Sequence, residues 1–250
     1  MIVFDTPDEA LYEDALTVAK NRIQGMKGVG TLAEKSVHAM LKYYYAPNDK
    51  YHEVNIDGFV ADACVDGEIY EIQTRNFYVM KRKLEAFLKE HEVTVIYPVS
   101  VENRISWIDP ETGEIFPGTK KKTAKKPFVF YREIYSIRQF LGRDNLHFVI
   151  ALLSTEDSRL LDGYGKDRKI RATKLDRFPC GFEGEIFIDS PFDFVKLLPD
   201  GLPESFTTAD FAHASAVSRD DATKALIVLR EAKIVGITGK NKNENIYTVL

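Results

Sequence analysis

Asp62 and Glu71 are the residues of this chain whose types and spacing point most directly to chemistry. Between them stands Asp66-Gly67, a dipeptide favoured in two-residue hairpin turns because both central positions require φ above zero. A turn there pairs Val65 with Glu68 and each earlier residue with a correspondingly later one, which brings Asp62 opposite Glu71. A second such pair, Asp57-Gly58, puts Glu53 opposite Asp62 on its other side, so that one face carries three acids. Directly opposed side chains have Cβ atoms about 4.5 to 5.5 Å apart, and like charges at that distance destabilise a sheet. A hard divalent cation such as Mg²⁺, commonly held by one or two carboxylates, turns the repulsion into a binding site. The alternative is a solvent face of an antiparallel sheet, where water screens the acids. On either reading the acidic face holds Glu53, Asp62, Cys64, Ile69, Glu71 and Gln73, and the opposite face, with Val54, Ala61, Ala63, Tyr70 and Ile72, is the core side.

Periodicity and punctuation give the elements that must position these residues. Residues 8–24 form a first helical stretch, broken by Gly25, Gly28 and Gly30. Thr31 caps a second helix whose apolar positions Ala33, Val37, Met40, Leu41 and Tyr44 recur at helical spacing. Strands around the two Asp-Gly turns occupy residues 53–74, a helix follows over 77–91, and residues 93–99 read as a buried strand. Beyond these come a hairpin around Asp109 to Gly113, a helix near 132–141 and an apolar strand from His147. Residues 180–202 are rich in glycine and proline, which places a domain boundary there and divides the chain into 1–202 and 203–250.

Asp62, eight intervening residues and then Glu71-Ile72-Gln73, after a helix carrying Glu34 and before a helix and a buried strand, resemble the PD-(D/E)XK nuclease superfamily over about residues 31–99. The resemblance implies an α/β restriction-endonuclease-like core of helix, three-stranded meander, helix and strand. It implies an Mg²⁺- or Mn²⁺-dependent endonuclease-like hydrolase acting on DNA, with Asp62, Glu71 and the backbone carbonyl of Ile72 as metal ligands. Its catalytic set is Glu34, Asp62, Glu71 and Gln73. Two departures from the family pattern stand out. Gln73 occupies the place usually held by lysine and can hydrogen-bond but brings no charge, and Ala61 stands where a proline often precedes the aspartate. Glu34 corresponds to the acid on the first core helix, while Thr31-Leu32-Ala33-Glu34 equally has the spacing of a capping box. The alternative function is a catalytically inactive nuclease-fold protein that binds DNA or a protein partner. Many relatives cut as dimers, so a homodimer is compatible with the resemblance.

Residues 206–250 read as two helices and a hairpin with a tip at 239–243, which resembles a small winged helix-turn-helix domain, often used to enter a DNA groove. Arg219, Thr223, Lys224 and Lys240 are its candidate nucleic-acid contacts. From Glu204 onward six basic residues balance six acidic ones, so protein contact is the alternative. Elsewhere, Arg75, Arg168, Lys169 and Arg171 are candidate phosphate contacts, the last three within a basic stretch from Lys166 to Arg177. The five lysines of residues 119–126 read as a solvated loop.

With 44% hydrophobic and 29% charged residues the composition is that of a globular protein, and no apolar run approaches the roughly 20 residues of a spanning helix. A cytoplasmic location and no membrane association are the expectations. The chain shows no glycine-rich phosphate loop, no serine nucleophile elbow and no histidine pair at zinc spacing, so no small-molecule cofactor is expected. Cys64 and Cys180 lack paired spacing and read as buried thiols.

Overall fold

The computed structural model describes residues 4–25, 35–122, 127–163 and 172–250. It is a mixed α/β fold built on one central sheet with helices on both faces. Helices α1 (Glu9–Gly25) and α2 (Ser36–Tyr45) come first, followed by the meander β1 (His52–Ile56), β2 (Phe59–Val65) and β3 (Glu68–Ile72). A 3₁₀ turn (Phe77–Met80) and α3 (Lys81–Phe87) lead into β4 (Val93–Ile108). The short strands β5 (Ile115–Pro117) and β6 (Lys121–Lys122), α4 (Phe130–Tyr135), β7 (Leu146–Leu160) and β8 (Thr173–Ile188) complete the layered part. The chain then forms α5 (Thr208–Ser215), α6 (Arg219–Glu231) and the hairpin β9 (Val235–Asn241) and β10 (Glu244–Val249).

Both Asp-Gly pairs form the expected turns: φ is +50° and +80° at Asp57 and Gly58, and +51° and +92° at Asp66 and Gly67. Type I′ turns place both central residues there, and their twist matches that of the flanking strands. The register follows, with Val65 paired to Glu68 and Ala63 to Tyr70. Glu53 departs from this pattern. Its own φ is +52°, which takes it out of the ladder between His52↔Ala63 and Val54↔Ala61, so the third acid does not complete the expected row.

The sheet order is β1-β2-β3-β4-β7-β8, with β4 parallel to both β3 and β7 and the other neighbours antiparallel. Parallel neighbours need crossovers, which α3 and α4 supply. One apolar layer joins α1 and α2 to Ile72, Ile96, Val149, Ala151 and Leu153. The other joins α3, α4 and the C-terminal helices to Ile69, Val95, Phe148 and Ile150. The face carrying Ile69 and Glu71 is therefore also a core face, contrary to the expectation of one core side, because α3 packs over it. Helix α2 is tied to β8 by Tyr44 and Tyr45, whose hydroxyls donate to the buried carboxylate of Glu185 at 3.1 and 2.5 Å.

Strands β4, β7 and β8 run far beyond the expected lengths. Gln73 N–H donates to the Ile96 carbonyl, and β3 then leaves. Pro98, two residues on, directs its missing N–H toward the side β3 has vacated, so proline is tolerated within the strand. The glycines of residues 180–188, read as part of a boundary, lie in β8 together with Pro179. They are tolerated there because register shifts between Leu152 and Leu153 and between Ser154 and Thr155 fall opposite Gly184, Phe182, Gly181 and Pro179. The helix expected over 77–91 is a 3₁₀ turn followed by a short α-helix, and that near 132–141 is likewise split. Lys121 and Lys122 form a short edge strand on β4 rather than a loop.

The C-terminal elements pack against α4. Tyr131 meets Phe211 edge to face, and the Arg132 guanidinium makes two hydrogen bonds, of 2.7 and 2.5 Å, to the buried Asp221 carboxylate. Thr207 and Ser218 cap α5 and α6 as their residue types require. Among the described residues no helix is long and apolar enough to cross a membrane.

Candidate functional site

The site begins where β2 and β3 part. Past Ala63↔Tyr70 the two strands no longer pair with each other, and side chains take over their backbone hydrogen bonds. Asp62 N–H donates to Glu71 Oε1 at 3.3 Å, and Ile72 N–H donates to Asp62 Oδ2 at 2.8 Å. Since N–H and C=O of one strand residue leave toward the same neighbour, the Ile72 carbonyl also faces the gap. Glu71 is 3% exposed and the Asp62 side chain 20%, so these are not acids of a solvent face.

A lysine and a histidine flank the pair. Lys83 of α3 places Nζ 2.6 Å from Glu71 Oε2, and His38 of α2 places Nε2 3.2 Å from Asp62 Oδ2. Neither was expected from sequence, although each left a faint trace. His38 lies four residues after Glu34 in the sequence, and Lys83 adjoins the inward stripe of Met80, Leu84 and Phe87. Burial, and then the Asp62 charge, push the Glu71 carboxyl up to about 7 against the pull of Lys83. Burial also acts to raise Asp62, but the hydrogen bond and charge of His38, with Ile72 N–H, hold it below the usual carboxylate range. One carboxylate thus stays ionised while its neighbour exchanges a proton near neutrality.

The other expected residues are dispersed. Gln73 turns its side-chain amide onto the Arg75 carbonyl at 2.5 Å, closing the end of β3 beside Asn76, which is left-handed at φ +56°. Glu53, the third acid, is exposed and pairs instead with Lys42 at 2.6 Å. Glu34, Arg168, Lys169 and Arg171 lie outside the described residues. On α6, Arg219 pairs with Glu244 at 2.6 Å, Lys224 with Asp220 at 2.5 Å, and Thr223 donates to the Arg219 carbonyl. Lys240 is exposed on β9. Cys180 is exposed and Cys64 half-buried, because β8 is a sheet edge and β2 lies one strand from the other edge, so neither is the fully buried thiol expected.

Among the described residues no group of three or more His, Cys, Asp or Glu stands together as a metal cage. The donor set of Asp62, Glu71 and the Ile72 carbonyl is nevertheless all oxygen, and Asp62 Oδ1 carries no hydrogen bond among the described residues. Two carboxylates and a carbonyl suit Mg²⁺, which keeps several waters rather than a full protein shell. The residues therefore fit such an ion.

Directly past Gln73, Thr74 and Arg75 form part of the wall of a cleft of about 800 Å³ between the start of α2 and the extended halves of β7 and β8. Its cations are Lys35, Arg75, Arg159, Lys174 and Arg177, against one carboxylate, Asp176. Sequence reasoning had located the described part of this wall as the end of the basic stretch from Lys166 to Arg177, but had not joined it to Arg159 or Lys35.

Residues 35–189 match the family model described as a domain of unknown function, DUF8091, which covers more than half of the sequence. The chain belongs to this family. The matched segment holds Asp62, Glu71, His38, Lys83 and the cleft, and closes at the end of β8 before α5 begins. A protein of Treponema pallidum (strain Nichols), described as an uncharacterized protein, is 27% identical over 190 residues, which span 74% of this chain and 73% of that one. No solved structure matches.

Proposed function

We propose that this protein is a metal-dependent nuclease of the PD-(D/E)XK type acting on DNA. The observation that carries the reading is the buried pair Asp62 and Glu71, joined at 3.3 Å where β2 and β3 separate. The succession α2, β1 to β3, α3, β4 is the order of elements that the superfamily core requires, which supports the same reading. Residues 206–250, with two helices, a hairpin and a bridge from Phe206 to Tyr247, support a winged helix that orients the substrate.

In this mechanism Asp62, Glu71 and the Ile72 carbonyl would hold Mg²⁺ or Mn²⁺. Bound there, the ion would activate a water and neutralise charge on the scissile phosphate. Asp62 is fixed for this role by the Ile72 N–H and by His38, which keep it ionised. Burial and the Asp62 charge raise the Glu71 carboxyl, and a bound cation would offset that burial and favour its ionised form as a ligand. Lys83 supplies the positive charge that Gln73 lacks: its ammonium already lies at the Glu71 carboxylate and stabilises negative charge gathering beside it. Gln73, through its hydrogen bond to Arg75, holds the end of β3 and so the direction of the Arg75 side chain toward the cleft.

A second reading is favoured by the same two side chains. Lys83 and His38 already engage both carboxylates, at 2.6 and 3.2 Å, as expected of an inactive nuclease fold retained for binding DNA or a protein partner. Cleavage of single-stranded, duplex and branched DNA with Mg²⁺ and Mn²⁺, by wild type and by Asp62→Ala, separates the two. Loss of cleavage in the variant supports the nuclease, and equal activity in both proteins removes the assignment. Absence of cleavage together with absence of divalent binding favours the inactive fold.

A further inference from the structure

We infer that the cleft beyond Gln73 is a binding channel for one strand of nucleic acid, entered through Arg75 and closed by Arg159, and that it selects single-stranded ends over intact duplex. The inference rests on the nuclease reading for the class of its ligand, but its geometry stands apart from the carboxylate pair.

Charge comes first. Five cations line the cleft against Asp176, and only part of that charge is spent within the protein. Lys174 and Arg177 share the buried Asp157, at 2.9 and 2.6 Å, and Lys35 reaches the Leu175 carbonyl at 3.1 Å. Arg75 is exposed. Arg159 is the informative residue: its Nε is buried yet has no hydrogen-bond partner among the described residues, while its guanidinium lies 5.8 Å over the Trp107 ring. A buried donor left without an acceptor is disfavoured, and a phosphate oxygen is the acceptor that also balances the charge. The cations crowd one another as well. Burial holds the Lys174 amine below its usual range, and Arg177 and Arg159 add to that against the pull of Asp157.

Shape decides between one strand and two. A space of about 800 Å³ is the size of a pocket that encloses a single small ligand, which suits a nucleotide or two of one strand rather than the body of a duplex. The cleft also has a floor of Val37, Pro98, Leu153 and Leu175, against which a base can lie, and Asp176 Oδ1 is buried with no partner, an acceptor for a base amino group or a sugar hydroxyl. Sequence-tolerant strand binding commonly combines such apolar contact with a basic track. Thr74 and Arg75 immediately follow Gln73, so the wall of the cleft continues the strand that carries Glu71.

The test is fluorescence anisotropy on the full chain in EDTA, with a labelled single-stranded oligonucleotide of about 12 nucleotides and a blunt duplex of the same sequence, a length within the usual range for single-strand sites. The single strand is expected to bind at least about tenfold more tightly than the duplex. Arg159→Ala and Arg75→Ala should each weaken it about tenfold and lower the salt slope by about 0.7 per lost contact. Arg75 is exposed, so its removal reports binding without disturbing the fold, and Arg143→Ala, exposed and outside the cleft, should leave strand affinity unchanged. Equal or tighter duplex binding, or full strand affinity in both cleft variants, overturns the inference. Strand binding that persists in Asp62→Ala and in a protein showing no cleavage with any metal would sink the nuclease reading and leave the channel standing.

Discussion

The Lys83 ammonium lies 2.6 Å from Glu71 Oε2, bringing a charge from α3 to a carboxylate beside which the chain itself offers only the uncharged Gln73. If that charge serves the reaction, Lys83→Met should lower the cleavage rate about 100- to 1,000-fold, the usual effect of removing one group that stabilises developing negative charge. Gln73→Ala should lower it less than about tenfold, since Gln73 only closes the end of β3. Lys83→Arg should recover part of the loss, and the rising limb of the pH profile should move to higher pH in Lys83→Met. Equal losses in Lys83→Met and Gln73→Ala would show that Lys83 only balances charge in the core.

Glu71 ties stability to pH. Its carboxyl is raised from 4.5 to about 7 in the folded protein, so between those values the folded state holds a proton that the unfolded chain has released. Stability of the metal-free protein should therefore fall as pH rises from about 4.5 to about 7, by up to about 3 kcal/mol from this group. Asp62 acts in the opposite sense: its folded value is depressed, so its contribution is present above the unfolded value and lost as pH falls through the folded one. Melting curves of wild type and Glu71→Gln across this window isolate the first effect. The difference between the two proteins should shift by several degrees, and a constant difference would place Glu71 in an unperturbed environment.

The hairpin that aligns the pair depends on Gly67. At φ +92° a Cβ meets no neighbouring atom within 4 Å, so the penalty of Gly67→Ala is conformational alone. About 1 to 2 kcal/mol is expected in urea unfolding. A neutral substitution would mean that the turn relaxes without loss, and with it the register that brings Asp62 to Glu71.

How far this was legible in sequence follows from how local each feature is. Turn chemistry at Asp57-Gly58 and Asp66-Gly67 set the register, because φ above zero at two successive residues is a local demand. Glu53 escaped the same count because its own left-handed backbone breaks the ladder, which no neighbouring residue announces. His38 and Lys83 reach the site from two helices on opposite faces of the sheet, and such convergence is written in packing rather than in spacing. The cleft was half legible: the basic stretch was visible, but Arg159 joins it only through the pairing of β7 with β8. Glycine and proline in β8 misled for a physical reason, since register shifts let a long strand carry residues that ordinarily end one.

Arg132 fastens α4 to α6 through two hydrogen bonds to Asp221, whose side chain is 7% exposed. Arg132→Ala leaves that carboxylate with Ser218 alone, and about 2 kcal/mol of stability should be lost, within the range for hydrogen bonds to charged groups. A double-mutant cycle with Asp221→Asn should show coupling of about 1 kcal/mol or more. Additive effects would mean that Tyr131, Phe211 and their apolar neighbours alone hold the C-terminal elements.

The central claim is that Asp62 and Glu71 form a divalent metal site, and crystals soaked in Mn²⁺ test it most directly. An anomalous difference peak should stand between the two carboxylates, about 2 Å from Asp62 and Glu71 oxygens, the spacing of a small hard cation. Lys83 should then be displaced from its 2.6 Å contact, and Asp62→Ala should abolish the peak. A fully occupied soak with no density at the pair, or density that persists in Asp62→Ala, would contradict the account.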